Sequence, residues 1–411
     1  MGLGIVDVYA FLVLLVSFGL FHLCGGVLNF FNPASLFFIF HVALFGVASW
    51  YRGLYEGRVW VSDEVVFIVY SSLLLYTVGA FSISALLGSN ISAFDVSTLM
   101  RRARVLLLRQ WGQLLVVILP VLISLVYTLH VGGAVWFQSD MDDLRIEVRK
   151  GIGWLALLGI ASAFVGVLFY VFSNRGVGWL KSVIVIVVLS ACAASYGNRA
   201  PGAEVFIVGS FGLFMVRYGR LPIVRLGVVG GLGFFVVVVA GLYRQGYDLS
   251  FYGVLLQGLW RPFVNFQNFQ IIYDAFPALV PFQMGNGYLI DFSVVMPGYQ
   301  PNYSAWLKDA LGMEFSGGGV NQTYLGEFYS NFSLIPSLLI SLMLGAFLQL
   351  SYCIMCMMRS TPQLMLVVSF SLKSMVSSGL VSPLLYSLAP FLLVYFLYRL
   401  FLVGGVVYEK A

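Results

Sequence analysis

Charge is scarce in this chain. Asp, Glu, Lys and Arg make up 9% of its 411 residues, where a soluble domain carries about 25%. That scarcity excludes a water-soluble fold. Disorder is excluded by the opposite excess, since 60% of the residues are hydrophobic and the mean hydropathy is +0.95, whereas disordered chains are poor in apolar and aromatic residues. Cysteine is rare as well: Cys24, Cys192, Cys353 and Cys356 all lie inside apolar runs, so no disulfide framework is implied. Cys353 and Cys356 form a CxxC, but no second pair or nearby His completes a zinc set, and they read as small packing hydrophobes. No metal site is expected. There is no GxxxxGK[ST], no HExxH and no GxSxG, which removes the common phosphate-loop, zincin and serine-hydrolase signatures. A net charge of +5 is too small to suggest nucleic acid.

Long apolar runs are what the chain has instead. They fall near residues 5–25, 33–50, 64–88, 111–130, 153–173, 178–196, 202–217, 222–243, 332–357, 362–380 and 383–403. Each approaches the ~20 residues that cross a ~30 Å hydrocarbon core. The expectation is an all-α polytopic integral membrane protein with about 11 transmembrane helices (about 10–12). Residues 5–25 lack a basic leader and a small-residue cleavage site, and are expected as a retained first span.

Basic residues set the orientation. One set of loops and span ends holds twelve of them (Arg101, Arg102, Arg104, Arg109, Arg175, Lys181, Arg217, Arg220, Arg225, Arg359, Arg399 and Lys410) against two acids, Asp95 and Glu409. The opposite set holds nine basic residues and fifteen acids, leaving Lys373 inside a span. By the positive-inside rule the first set is cytoplasmic. The run Arg101–Arg109 is compatible with an inner-surface helix holding anionic lipid and equally with topology anchoring. The organisation expected is 1–243 with eight spans, 244–331 as one large outer loop, and 332–411 with three more spans and a short tail. Loops this long are commonly functional, and 249–280 has the aromatic, amphipathic look of helices at a membrane surface. A second outer segment, 131–152, reads as a solvated amphipathic helix.

Outward-facing arginines run against the topology rule. Arg199 sits in a tight Gly-Asn-Arg-Ala-Pro-Gly turn, Arg244 follows the eighth span, and Arg261 lies in Trp-Arg-Pro-Phe. A guanidinium fits phosphate bidentately, so three of them converging would hold a pyrophosphate; lipid headgroups or acids such as Glu204 and Asp248 are the plainer partners. The richest stretch is Gly317 to Phe332. Gly318 and Gly319 allow close backbone approach, while Asn321, Gln322, Thr323, Tyr324 and Tyr329 offer the donors and acceptors that sugar hydroxyls need. Glu327 falls at the start of a span, where a carboxylate is costly and marks a functional position by default, or caps helix N–H groups. Asp291 is a weaker second acid, and a satisfied loop residue is the plainer reading for it. His22 and His41 lie within spans and read as core residues, while His130 sits at an outer span end.

These places together resemble the bacterial O-antigen or oligosaccharide repeat-unit polymerases, the Wzy-type membrane glycosyltransferases. The resemblance rests on the outer turn Asn198-Arg199-Ala200-Pro201-Gly202, on Leu325-Gly326-Glu327-Phe328-Tyr329-Ser330-Asn331-Phe332, similar to the family's "GE.Y.NFG", and on the layout of spans with a large late loop. Ser333 stands where the family often has Gly, and 294–301 lacks the Arg of the family's Pro-Arg…Pro-x-Lys-Pro stretch.

The resemblance implies a GT-C-like fold in the bacterial inner membrane with its active site facing the periplasm. It implies polymerisation of undecaprenyl-pyrophosphate-linked oligosaccharide units, the growing glycan passing to the non-reducing end of an incoming lipid-linked unit, without a cofactor. Membrane lipids and a chain-length-determining co-polymerase are the further partners implied. In that scheme Arg199, Arg244 and Arg261 meet the departing pyrophosphate, Glu327 takes the acceptor proton with His130 in reserve, and Gly318, Gly319, Asn321, Gln322, Thr323, Tyr324 and Tyr329 line the glycan. An O-antigen ligase is the nearest alternative, although the large loop has no His for its base. A lipid-linked oligosaccharide flippase or transporter is the other, with Lys373 and the in-span histidines as its ionisable residues.

Overall fold

The computed structural model describes residues 5–24, 29–46, 61–87, 104–132, 141–173, 178–197, 199–218, 250–293, 302–314 and 319–408, with isolated positions between 227 and 239. Among these, seven helices are long and apolar enough to cross a bilayer: Ile5–Leu23, Asp63–Leu87, Gln110–Val131, Ile152–Ser173, Ala200–Tyr218, Leu334–Met357 and Val381–Leu402. They present large apolar side chains outward, Leu15, Leu114, Leu129 and Met343 each being more than half exposed. Such continuous apolar faces suit lipid rather than water. The chain is a helical, multi-pass membrane protein.

The seven correspond to seven of the expected runs. Two others form shorter helices, Pro33–Phe45 and Trp179–Ala194. The run 222–243 lies largely outside the described residues. The run 362–380 is not one span, which corrects the expectation: Pro362–Lys373 ends at a turn, Met375–Ser378 adds a single turn, and Gly379 takes φ +85° before Val381.

The chain forms two compact units, and neither follows chain order. The first comprises Met1–Asp95, Gly258–Met358 and Val368–Leu384, and the second Val96–Gln257, Arg359–Val367 and Leu385–Ala411. Most of the 244–331 segment therefore belongs with the first three helices.

In the first unit, Asp63–Leu87 lies directly on Leu334–Met357. A methyl group at Gly79 would run into the Leu342 carbonyl oxygen, and one at Gly345 into that of Tyr76. Small residues permit this approach, the usual way helices pack without a hydrophobic drive between them. Ser72 Oγ and Ser341 Oγ meet at 3.0 Å across the same seam. The helix Pro33–His41 begins in this interior. Asn32 caps it, its Oδ1 accepting from Ala34 N (2.9 Å), while its Nδ2 donates to Gln349 Oε1 (2.8 Å). Gln349 Nε2 in turn donates to Ser84 Oγ (2.9 Å). Buried amides are thus paired with one another, as a low-dielectric interior requires. The segment expected as surface helices contains one long helix, Phe251–Ala275. Phe266 and Phe269 are buried, and Phe266 meets Phe45 edge-on at 5.2 Å.

The second unit is built on Met141–Ser173, which bends at Ile152 (φ −125°). The charged, expected amphipathic stretch thus passes into the apolar span there. Phe164 stacks on Phe391 (4.7 Å), and Thr361 Oγ1 bonds Tyr395 OH (2.6 Å). A two-stranded antiparallel sheet corrects the inner-surface helix considered for Arg101–Arg109: Arg104–Leu108 pairs with Val403–Tyr408. The signal was local, since Val-Leu-Leu-Leu faces Val-Gly-Gly-Val-Val-Tyr, where β-formers and two glycines argue against helix.

Candidate functional site

The helix Thr323–Phe332 lies in the first unit and is buried along nearly its whole length. It ends before Ser333 (φ 73°), and the span Leu334–Met357 starts afresh. Glu327 is therefore on its own short helix and not in the first turn of a span, which corrects the expected placement. Its carboxyl is closed to solvent. Oε2 accepts the backbone N–H of Leu380, and Oε1 has no hydrogen-bond partner among the described residues. Gly379 lies against the same carboxyl, so close that a methyl group there would stand 2.6 Å from Oε2. Burial pushes the Glu327 carboxyl well above the usual carboxylate range; the Leu380 N–H opposes this and the charge of Asp291 adds to it.

Neighbouring backbone is fastened to this helix. Asn331 Nδ2 donates to the Glu327 carbonyl (2.8 Å), and its Oδ1 accepts from Gly287 N (3.1 Å). Gln283 N and Met284 N donate to the carbonyls of Ser330 (2.9 Å) and Asn331 (2.8 Å). Tyr303 OH donates to Ser330 Oγ (2.8 Å). Asp291, on the helix Asn286–Ser293, accepts Tyr303 N through Oδ1 (2.7 Å), while Oδ2 has no partner among the described residues. Asp291 is thus half the satisfied loop acid expected. Burial raises its carboxyl against that hydrogen bond. The Tyr288 hydroxyl is raised by burial and then by Glu327, Tyr303 and Asp291. Two buried acids and two tyrosines therefore share one electrostatic neighbourhood, where neutral forms are favoured and each acid keeps an unpaired oxygen.

The other expected site residues are placed as follows. Asn321 is exposed; its Nδ2 donates to Asn265 Oδ1 (3.2 Å) and its carbonyl accepts from Asn268 Nδ2 (3.0 Å). Gln322 is buried with Oε1 unpaired among the described residues. Thr323 (φ 55°) caps its own helix by accepting Gly326 N at 3.3 Å. Tyr324 OH lies 2.7 Å from Ser72 Oγ and 3.2 Å from His41 Nδ1. Tyr329 OH donates to the Phe276 carbonyl at 3.1 Å. Both tyrosines are buried, with their hydroxyls committed to protein. A methyl group at Gly319 would collide with the Ser304 backbone, so its glycine serves close packing of the loop. Gly318 and Arg244 lie outside the described residues. Arg261 lies in the helix Phe251–Ala275 and Arg199 opens the helix Arg199–Tyr218; their side chains are also outside them. His130 is exposed in the last turn of Gln110–Val131, in the second unit.

Sequence reasoning passed over the Gly379–Leu380 turn and the tyrosines at 288 and 303. The turn had a signal, Ser-Ser-Gly followed shortly by Ser-Pro inside an apolar run, where Gly and Pro punctuate helices. The tyrosines had none apart from the acids they flank. Among the described residues no three His, Cys, Asp or Glu side chains gather as metal ligands. No family model, curated protein or solved structure matches this chain.

Proposed function

We propose that this protein is a membrane glycosyltransferase that polymerises polyprenyl-pyrophosphate-linked oligosaccharides, of GT-C type, working at the outer face of a bacterial inner membrane. The observation that carries the proposal is Glu327: a buried carboxyl with one free oxygen, set where a polar loop meets apolar helices. In the transfer, the bond from the donor sugar's anomeric carbon to its pyrophosphate breaks as the bond to the acceptor hydroxyl oxygen forms. The hydroxyl proton passes to the Glu327 carboxylate, the general base of this scheme. Pyrophosphate leaves with its charge, met by arginine, for which Arg199, Arg244 and Arg261 are the candidates the sequence offers; His130 is the sequence's candidate for a reserve base. Closed as the carboxyl is, a sugar hydroxyl reaches it only when the Gly379–Leu380 turn parts from it, and parting lets the acid ionise.

One observation favours a second reading. A helix broken beside an ionisable residue, as at Lys373–Leu380, is a feature of transporters. The two readings separate by surface lipopolysaccharide gels from a host lacking the gene. A polymerase deletion loses the ladder but keeps one repeat unit on the core, and Glu327→Gln, Arg199→Ala and Arg244→Ala fail to restore it. A deletion that leaves no attached unit refutes the polymerase in favour of ligation or flipping.

A further inference from the structure

Between Asp274 and Lys308 the chain carries one charged residue, Asp291, and the helix that bears it is built inside out. On Asn286–Ser293, Gly287 and Asp291 are buried, while Leu289 and Phe292 are 66% and 47% exposed. At 3.6 residues per turn these pairs stand on opposite faces. The carboxyl faces the protein and the large apolar side chains face out. The turn before the helix adds to the same surface, with Leu279 and Met284 81% and 74% exposed. A helix at a water surface has the reverse arrangement, whereas ionisable residues turned inward are the rule for segments in lipid.

The patch continues the apolar face of a span. Gln283 N and Met284 N donate to the carbonyls of Ser330 and Asn331, and Asn331 Oδ1 accepts Gly287 N. A methyl group at Gly287 would meet the Asn331 amide at 2.7 Å and the Tyr303 ring at 2.9 Å, so the two short helices lie close together. Thr323–Phe332 ends one residue before the span Leu334–Met357. The outward stripe of that span starts at Ile335 and runs through Leu339 and Met343, each more than half exposed. Met284 and Gly287 are thereby held within a few residues of its first turn. Depth has a limit. The chain is non-helical from 276 to 285 and Asn286 is exposed, and irregular backbone facing lipid is not tolerated in the hydrocarbon core.

We propose that residues 277–293 form a ledge seated at the boundary between headgroups and acyl chains, where amphipathic helices lie about 5–10 Å deep. Leu279, Met284, Leu289 and Phe292 rest against the lipid chains of the leaflet in which the span Leu334–Met357 begins. Bilayer lipid is the occupant of this face because the face is continuous with the lipid-facing stripe and carries no charge to pair with a soluble partner. The ledge rests on the fold and goes beyond the reaction proposed above.

The test is nitroxide labelling of the full-length protein in phosphatidylethanolamine–phosphatidylglycerol vesicles, at Leu289→Cys, Phe292→Cys and Met284→Cys in turn. The unsubstituted protein, whose cysteines are buried or half-buried, gives the background. Two further variants supply references: Asp309→Cys, charged and exposed on the helix Tyr303–Ala310, and Met343→Cys, roughly 14 Å into its span. Collisions with oxygen, relative to those with a water-soluble nickel chelate, should be severalfold more frequent at positions 284, 289 and 292 than at 309, and less frequent than at 343. A ratio equal to that at 309 puts the segment in water and overturns the ledge. A ratio equal to that at 343 overturns the boundary depth. Few collisions with either agent mean that protein covers the face, which overturns lipid as its occupant. Should one variant not be monodisperse, the other two carry the test, since each replaces an exposed side chain. None of these outcomes bears on the transfer reaction.

Discussion

The carboxyl of Glu327 and the backbone N–H of Leu380 are joined by a hydrogen bond, with Gly379 pressed against the same group. A short polar helix is thereby fastened to the break in an apolar one, and the fastening is titratable.

A pH-dependent stability follows. The folded protein holds the Glu327 carboxyl above its unfolded value of about 4.3, so its protonated form is the one folding favours. Its stabilising contribution is complete below about pH 4 and is lost as pH rises through the folded value, at up to about 1.4 kcal/mol per unit. Glu327→Gln keeps an acceptor for Leu380 and does not titrate. Its Tm should exceed that of wild type by a margin that widens as pH rises above about 4, while polymer synthesis is lost if the proposed function holds. A margin flat across that range would show that the carboxyl is not buried in the working protein.

Gly379→Ala meets two obstacles. An L-residue at φ +85° is strained, and its methyl group would strike the carboxyl. A loss on the order of 2 kcal/mol is expected, read as a lower Tm, and Glu327→Ala in the same chain should relieve part of it. No relief would mean that strain alone is responsible.

Asn331→Ala should cost on the order of 2 kcal/mol, because Gly287 N and the Glu327 carbonyl each lose a buried partner. Asn331→Asp retains the acceptor and regains a donor only when protonated, so thermal unfolding of that variant should improve as pH falls.

Tyr324→Phe distinguishes an internal brace from a glycan contact. Its hydroxyl is buried against Ser72 and His41, so the expected change is about 1 kcal/mol of stability with a normal polysaccharide ladder. A lost ladder at unchanged Tm would give Tyr324 to the substrate.

Much of this molecule is legible from hydropathy. A run such as 334–357 has one physical solution in a bilayer, and Glu327 stood out because carboxylates at such a place are rare. The break at 374–380 was illegible to the same reasoning, because Ser, Gly and Met do not lower the average enough to end a span. Its signal lies in the punctuation Ser-Ser-Gly and Ser-Pro, not in hydropathy, and the positive φ at Gly379 shows where the chain turns. The seam between Asp63–Leu87 and Leu334–Met357 was hidden for a different cause: Gly79 and Gly345 act through the side chains they do not have. Asp291 shows how one residue can satisfy a loop and still leave an oxygen unpaired, which no composition or spacing distinguishes.

The pairing of Arg104–Leu108 with Val403–Tyr408 also bears on how the protein is made. Synthesis proceeds at about 5–20 residues per second, so the first strand emerges long before its partner and waits with unsatisfied backbone groups along one edge. The second unit is completed only when the last helix has been inserted and the strand behind it has doubled back. Closure of this sheet therefore waits until residues 403–408 have been made, almost three hundred residues after the first strand.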